Sequence, residues 1–133
     1  MTMFEIKIVT PHGIYDEIQV SSVTLPTTDG QRTVLPNHMP LVMPLEIGNM
    51  YLKKDNERVD YAISEGMFTF ENNCGTLIIT SIERGDEIDF ERAEKAKQRA
   101  EERLHGQHYE DHVDFKRAEL AMKRSLSRLR LKK

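Results

Sequence analysis

At 133 residues, with 31% charged and 38% hydrophobic positions, the chain is about one domain long, and its formal charge of −3 hides an uneven distribution. Its single cysteine, Cys74, excludes an intramolecular disulfide and a cysteine zinc cluster and is expected to be a buried small hydrophobe. No apolar run approaches the roughly 18 residues that span a bilayer and no signal-peptide pattern opens the chain, so a cytoplasmic protein is expected, with attachment to a membrane complex left open.

Residues Met3 to Val9 alternate around Phe4, Ile6 and Ile8, the pattern of a strand with one buried face, and Pro11-His12-Gly13 ends it. A second extended region is predicted over Ile18 to Leu25, followed by a turn at Thr27 to Gly30. The segment Thr33 to Pro44 holds three prolines and almost no charge, which predicts mostly loop. Within it, Met39 and Leu41 suit either packing in the fold or a protein contact.

Further strands fit Asn49 to Lys54, Val59 to Ser64, Met67 to Glu71 and Thr76 to Ser81, with turns at Asp55-Asn56-Glu57 and Asn72-Asn73 and a bend at Glu65-Gly66. Many short strands with little helix predict a β-sandwich or barrel over residues 1–84, and Arg84-Gly85-Asp86 marks its boundary.

The remainder, 85–133, changes character. From Glu87 to about Leu104, Ala93, Ala96, Ala100 and Leu104 recur at helical spacing, and small residues there permit close helix approach. From Asp114 to about Leu131 the opening pattern repeats: Asp89-Phe90-Glu91-Arg92-Ala93-Glu94 is echoed by Asp114-Phe115-Lys116-Arg117-Ala118-Glu119. Each copy reads as one arm of an antiparallel αα-hairpin, with an Asp available to cap either helix and the polar stretch His105 to Val113 as the turn. A two-helix appendage buries one face of each helix, so it is marginal alone and suited to changing its packing partner.

Residues 116–133 contain eight Lys or Arg against Glu119 alone, which points to an anionic partner. On the first arm Asp89, Arg92 and Arg99 approach a shared side, and on the second Arg117, Arg124 and Arg128 form a basic stripe. Guanidinium groups match phosphate oxygens through paired hydrogen bonds, an arrangement able to bind a nucleotide without a Gly-rich loop; the same charges also suit a solvated helix face. Aromatic residues are not interleaved with the stripe, which disfavours RNA.

Catalytic patterns are absent: the chain has no GxGxxG, Walker loop, HExxH or nucleophile elbow. His38 is the residue type for acid–base work, but no carboxylate or nucleophile is placed beside it by sequence, so a structural role is expected. His105, His108 and His112 are spaced three and four apart, yet Gly106 and the expected turn favour solvated connector histidines over a metal site.

Several strings, in this order, carry a resemblance: Val9-Thr10-Pro11, Tyr15, Leu35-Pro36-Asn37-His38-Met39-Pro40-Leu41-Val42, Ile88-Asp89-Phe90-Glu91-Arg92-Ala93 and Asp114-Phe115-Lys116-Arg117-Ala118-Glu119-Leu120-Ala121. Together they resemble the epsilon subunit of bacterial F-type (F1Fo) ATP synthase. The resemblance implies an N-terminal β-sandwich of about ten short strands in two sheets, followed by a C-terminal antiparallel αα-hairpin. It implies a non-catalytic central-stalk subunit on the cytoplasmic face of the bacterial cell membrane, its sandwich binding the gamma subunit and the membrane c-ring. It also implies restraint of ATP hydrolysis by a hairpin that lies down on the sandwich or extends beside gamma toward the alpha/beta catalytic head.

By the same resemblance, regulatory ATP would be held, without hydrolysis, by Ile88, Asp89, Arg92, Ala93, Arg99, Arg117, Arg124 and Arg128. Arg124 and Arg128 would also meet acidic surfaces of the head, and Gln31, His38 and Met39 would face the c-ring. Gly30-Gln31-Arg32-Thr33 departs from the family's common Gly-Glu-x-Gly. The alternative from another class is a freestanding ATP-sensing protein without rotary partners.

Overall fold

A computed structural model of the chain describes residues 2–105 and 112–132, with side chains described from 115 onward in the second helix. Ten strands form the body: β1 (Phe4–Thr10), β2 (Gly13–Val20), β3 (Ser22–Thr27), β4 (Gly30–Val34), β5 (Leu41–Leu45), β6 (Gly48–Lys54), β7 (Glu57–Ile63), β8 (Gly66–Glu71), β9 (Cys74–Ile79) and β10 (Ile82–Arg84). A 3-10 turn at Gly85–Glu87 leads into α1 (Phe90–His105) and α2 (His112–Leu129). Among the described residues no helix is long and apolar enough to cross a membrane.

The strands follow the hydrogen-bonded order β10-β7-β6-β3-β5-β8-β9-β1-β2, with β4 paired to β3. The expected two layers are joined where β3 meets β5 at Thr27–Leu45, so the ladder is continuous. Their inner faces share one core: Phe4, Ile6, Ile8, Phe68, Phe70 and Leu77 from one layer pack with Val23, Leu25, Met50, Leu52 and Tyr61 from the other. Phe4 meets Phe70 edge-on at 5.4 Å between centroids, a geometry that contributes about 1 kcal/mol beyond area burial.

Turn chemistry fixes the registers. Asn72 and Asn73 both take positive φ, 53° and 58°, which matches a tight hairpin to the strand twist between β8 and β9. At Gly66 the absence of a side chain is required by close approach: a Cβ there would lie 2.1 Å from the Ile78 carbonyl oxygen.

Several sequence expectations are corrected. The region Ile18 to Leu25 is two strands, because Ser21 donates from both its backbone N–H (2.7 Å) and its hydroxyl (3.0 Å) to the Lys53 carbonyl and carries the chain between layers. Leu41–Leu45 is a strand despite Pro44: β5 is paired along its length with β8 on one flank, while its other flank meets β3 at Thr27–Leu45, so a missing donor is tolerated. Ile82–Arg84, beyond the last predicted strand and reaching into the predicted boundary at Arg84, pairs with Tyr61–Ile63 as β10. Cys74 is exposed, since it opens β9 on the outward side while Gly75 and Leu77 face in. The first helix begins at Phe90 rather than Glu87: Glu87 closes the 3-10 turn, and the extended Ile88 and the capping Asp89 link it to α1.

The helices pack through small residues. Ala93, Ala100 and Ala118 are buried, with Ala96 and Leu104 half-buried, as their spacing predicts. Asp89 caps α1 by accepting the Arg92 backbone N–H at 3.0 Å, an interaction typically contributing about 1 kcal/mol. The second helix starts at His112, two residues ahead of Asp114, whose side chain lies outside the described residues.

Candidate functional site

The hairpin lies down against the body through α2, which packs on β6 and β7. The docked face is set by helical spacing: Arg124, Ser127 and Arg128 fall within one turn. Ser127 donates its hydroxyl to the Gly48 carbonyl at 2.8 Å, and the Asn49 side-chain amide donates to the Ser127 carbonyl at 2.8 Å and to its hydroxyl at 3.2 Å. Arg124 pairs with Glu65 at 3.3 Å, and Arg128 Nε donates to Glu83 Oε1 at 2.5 Å. A small half-open cleft borders this contact, with Ala62 and Ile63 among its lining beside Ser64, Ser81, Glu83 and Arg128.

The basic stripe of the second arm is therefore divided. Arg117 is exposed, whereas Arg124 and Arg128 turn onto body carboxylates and are half-buried. On the first arm Arg92 and Arg99 are exposed, Ile88 and Ala93 are buried, and Asp89 spends its carboxylate on the Arg92 backbone rather than its guanidinium. Sequence reasoning missed Glu65, Glu83, Asn49 and Ser127. The available signal was Ser127, a residue with poor helix propensity placed beside two arginines on one face.

At the entry to the hairpin, Arg84 pairs with Asp86 at 2.7 Å and Glu87 at 3.2 Å; the Asp86 hydrogen bond and charge push its pKa up. Tyr15 reaches Glu87 at 3.5 Å, and burial followed by the Glu87 charge pushes up its phenol. Beneath them, burial drives Tyr61 up to about 12, helped by Tyr15 and Asp16.

The outward face of the other layer carries one apolar row among polar ones. Cross-strand pairing aligns Pro44, Met67, Ile78, Val9 and Ile14 in a row across β5, β8, β9, β1 and β2. Ile14, Ile78 and Met67 are 58%, 51% and 44% exposed. A polar face is the norm for the water side of such a sheet, so a continuous apolar row indicates a contact surface. Its sequence signal was Leu77-Ile78-Ile79, which is apolar on both faces of a strand.

Gln31 is exposed at the β3–β4 tip, whereas His38 and Met39 lie in the connection beyond the other end of β4, so the strand separates them. That connection is tied down: the Asn37 N–H donates to Asn73 Oδ1 at 2.7 Å, and His38 Nδ1 donates to the Met39 carbonyl at 2.7 Å. Met39 is 72% exposed, while Leu41 is half-buried against the core. Among the described residues no group of three or more His, Cys, Asp or Glu is arranged to hold a metal ion. His108 lies outside the described residues, as does the side chain of His112; His105 is exposed.

Residues 3–85 match the family "ATP synthase, Delta/Epsilon chain, beta-sandwich domain", and residues 86–133 match "ATP synthase, Delta/Epsilon chain, long alpha-helix domain". The chain is 43% identical over 103 residues to an ATP synthase epsilon chain of Lactobacillus delbrueckii subsp. bulgaricus, covering 74% of this chain and 70% of that one. It is 36% identical over 104 residues to an ATP synthase epsilon chain of Caldicellulosiruptor bescii, covering 78% and 76%. In fold it resembles a chain of the Euglena gracilis mitochondrial ATP synthase OSCP/F1/c-ring structure, with TM-score 0.84, 19% identity and coverage of 98% and 81%. A chain of the Tetrahymena thermophila mitochondrial ATP synthase central stalk and c-ring structure gives TM-score 0.67 at 12% identity, covering 97% and 96%. With both of its parts matched, the chain belongs to the ATP synthase delta/epsilon family, as an epsilon-chain homologue.

Proposed function

We propose that this non-catalytic epsilon subunit of the F1Fo ATP synthase central stalk couples c-ring and gamma rotation to ATP synthesis while its hairpin restrains ATP hydrolysis. The observation that carries this reading is the division of burial. Among the described residues the body's core cluster contains no hairpin side chain, and the buried alanines of α1 and α2 face between the helices. The hairpin is held down by hydrogen bonds and two partly exposed ion pairs, so it can leave without opening the core. Two positions separated by a few kcal/mol follow from contacts of this kind.

The body supplies the platform. One outer surface is occupied by α2 on β6 and β7, while the apolar row Pro44–Met67–Ile78–Val9–Ile14 is bare and suits the gamma subunit. Gln31, His38 and Met39 are exposed and available to the c-ring. Through these partners the subunit sits peripherally at the cytoplasmic face of the bacterial membrane. When the hairpin extends, Arg124 and Arg128 exchange Glu65 and Glu83 for acidic surfaces of the alpha/beta head.

ATP fits this scheme as a regulatory ligand of the compact form. Arg92, Arg99 and Arg117 are exposed cations on the two arms, and the buried Ile88 and Ala93 provide apolar and close-packed surroundings. Hydrolysis by the chain is no part of this role.

The test is ATP hydrolysis by assembled head and stalk carrying either the full-length chain or residues 1–84, across an ATP concentration series. Inhibition confined to the full-length chain and weakening as ATP rises is expected. Equal hydrolysis with both chains at every ATP concentration contradicts the regulatory role.

A further inference from the structure

Resting on the hairpin as a movable part, we infer that Glu65 and Glu83 form an electrostatic latch on the body that sets how much of the hairpin is held down. The two carboxylates come from separate segments, Glu65 from the β7–β8 connection and Glu83 from β10, which follows the β9–β10 connection. Hydrogen bonds between those connections fix their spacing: Ser64 and Ser81 hydroxyls meet at 2.6 Å, the Ser64 N–H donates to the Ser81 carbonyl at 3.1 Å, and the Thr80 N–H donates to the Glu65 carbonyl at 3.3 Å. Their partners, Arg124 and Arg128, are one helical turn apart on α2. A rigid pair of acids thus faces a matching pair of bases, with Ser127 bonded to Gly48 and Asn49 between them.

The latch belongs to the half of the molecule that does not move. Glu65 and Glu83 remain on the body in either hairpin position, whereas Arg124 and Arg128 travel with α2. Any phosphate or acidic surface that engages these guanidiniums must displace the body carboxylates, so latch and external anion compete for the same two groups. The pairs are partly solvated, with side-chain exposures of 38% and 47% for Arg124–Glu65 and 30% and 35% for Arg128–Glu83, so each is weak and reversible.

The test uses full-length chain with spin labels on the exposed Cys74 and on an added cysteine at the exposed Glu102, reading the distance between body and hairpin. E65Q/E83Q should raise the population of long distances roughly three- to tenfold, the scale of two surface ion pairs. Raising salt should do the same in the unsubstituted latch and little in E65Q/E83Q, and the charge swap E83R/R128E should return the compact distribution. Ser127→Leu, which obstructs the buried contact with Gly48, serves as an independent release. An unchanged distribution in E65Q/E83Q with release in Ser127→Leu overturns the latch and leaves the movable hairpin standing. No release in either variant overturns both.

Discussion

Arg128 donates to Glu83 at 2.5 Å, joining the last turn of α2 to the short strand that precedes the hairpin. The same guanidinium cannot serve the proposed head contact while it serves Glu83, so the proposed extended position requires this pair to break. R124A/R128A removes both the body pairs and the proposed head contact. It is expected to loosen the compact form and yet relieve ATPase inhibition severalfold in the assembled complex, because the extended arm has lost its anchors. Inhibition as strong as wild type would assign the head contact elsewhere.

The apolar row makes a second expectation. M67D/I78K places two charges on the outward face of β8 and β9 without touching the core, where Phe68 and Leu77 point inward. The variant should keep its thermal midpoint within a few degrees and bind gamma at least about tenfold more weakly, as expected for charges buried at an interface. Titration of labelled chain with gamma measures this, and undiminished binding would remove the row from the contact.

ATP binding is the third. Calorimetry on the full chain is expected to show ATP binding that R92A/R117A, which removes one exposed cation from each arm, weakens by about tenfold or more, the usual scale for losing charge-assisted phosphate contacts. Equal binding by both proteins would exclude this pair from the ligand site.

Much of this was legible in the residues. The alternation Phe4-Ile6-Ile8 and the alanine spacing Ala93-Ala100 reported burial directly, because period 2 and period 3.6 patterns are imposed by the backbone itself. The strand at Leu41–Leu45 was not legible, since its Pro44 is tolerated only through sheet neighbours distant in sequence. For the same reason the partners of Arg124 and Arg128 were hidden: Glu65 lies 59 residues from one and Glu83 lies 45 from the other. Local pattern identified the bases as a stripe, and only tertiary packing showed which of them it occupies.

Tyr61 predicts the alkaline limit of the body. Burial raises its pKa from 10.0 to about 12, so the folded state holds the phenol proton where the unfolded chain has released it. Stability should therefore be intact below pH 10 and fall as pH rises from 10 toward about 12, by an upper limit of about 3 kcal/mol. Denaturant unfolding over this range should show a shallower decline for Tyr61→Phe. Identical slopes would mean that another group controls the loss.

The most direct measurement fixes the hairpin in place. Asn49→Cys and Ser127→Cys, in a Cys74→Ser background, joined by a short cleavable crosslinker, would hold α2 on β6 in an otherwise assembled ATP synthase. The crosslinked enzyme is predicted to remain coupled but to hydrolyse ATP without epsilon-dependent inhibition, which returns when the link is cut. Inhibition of equal strength before and after cleavage would contradict a hairpin that acts by leaving the body.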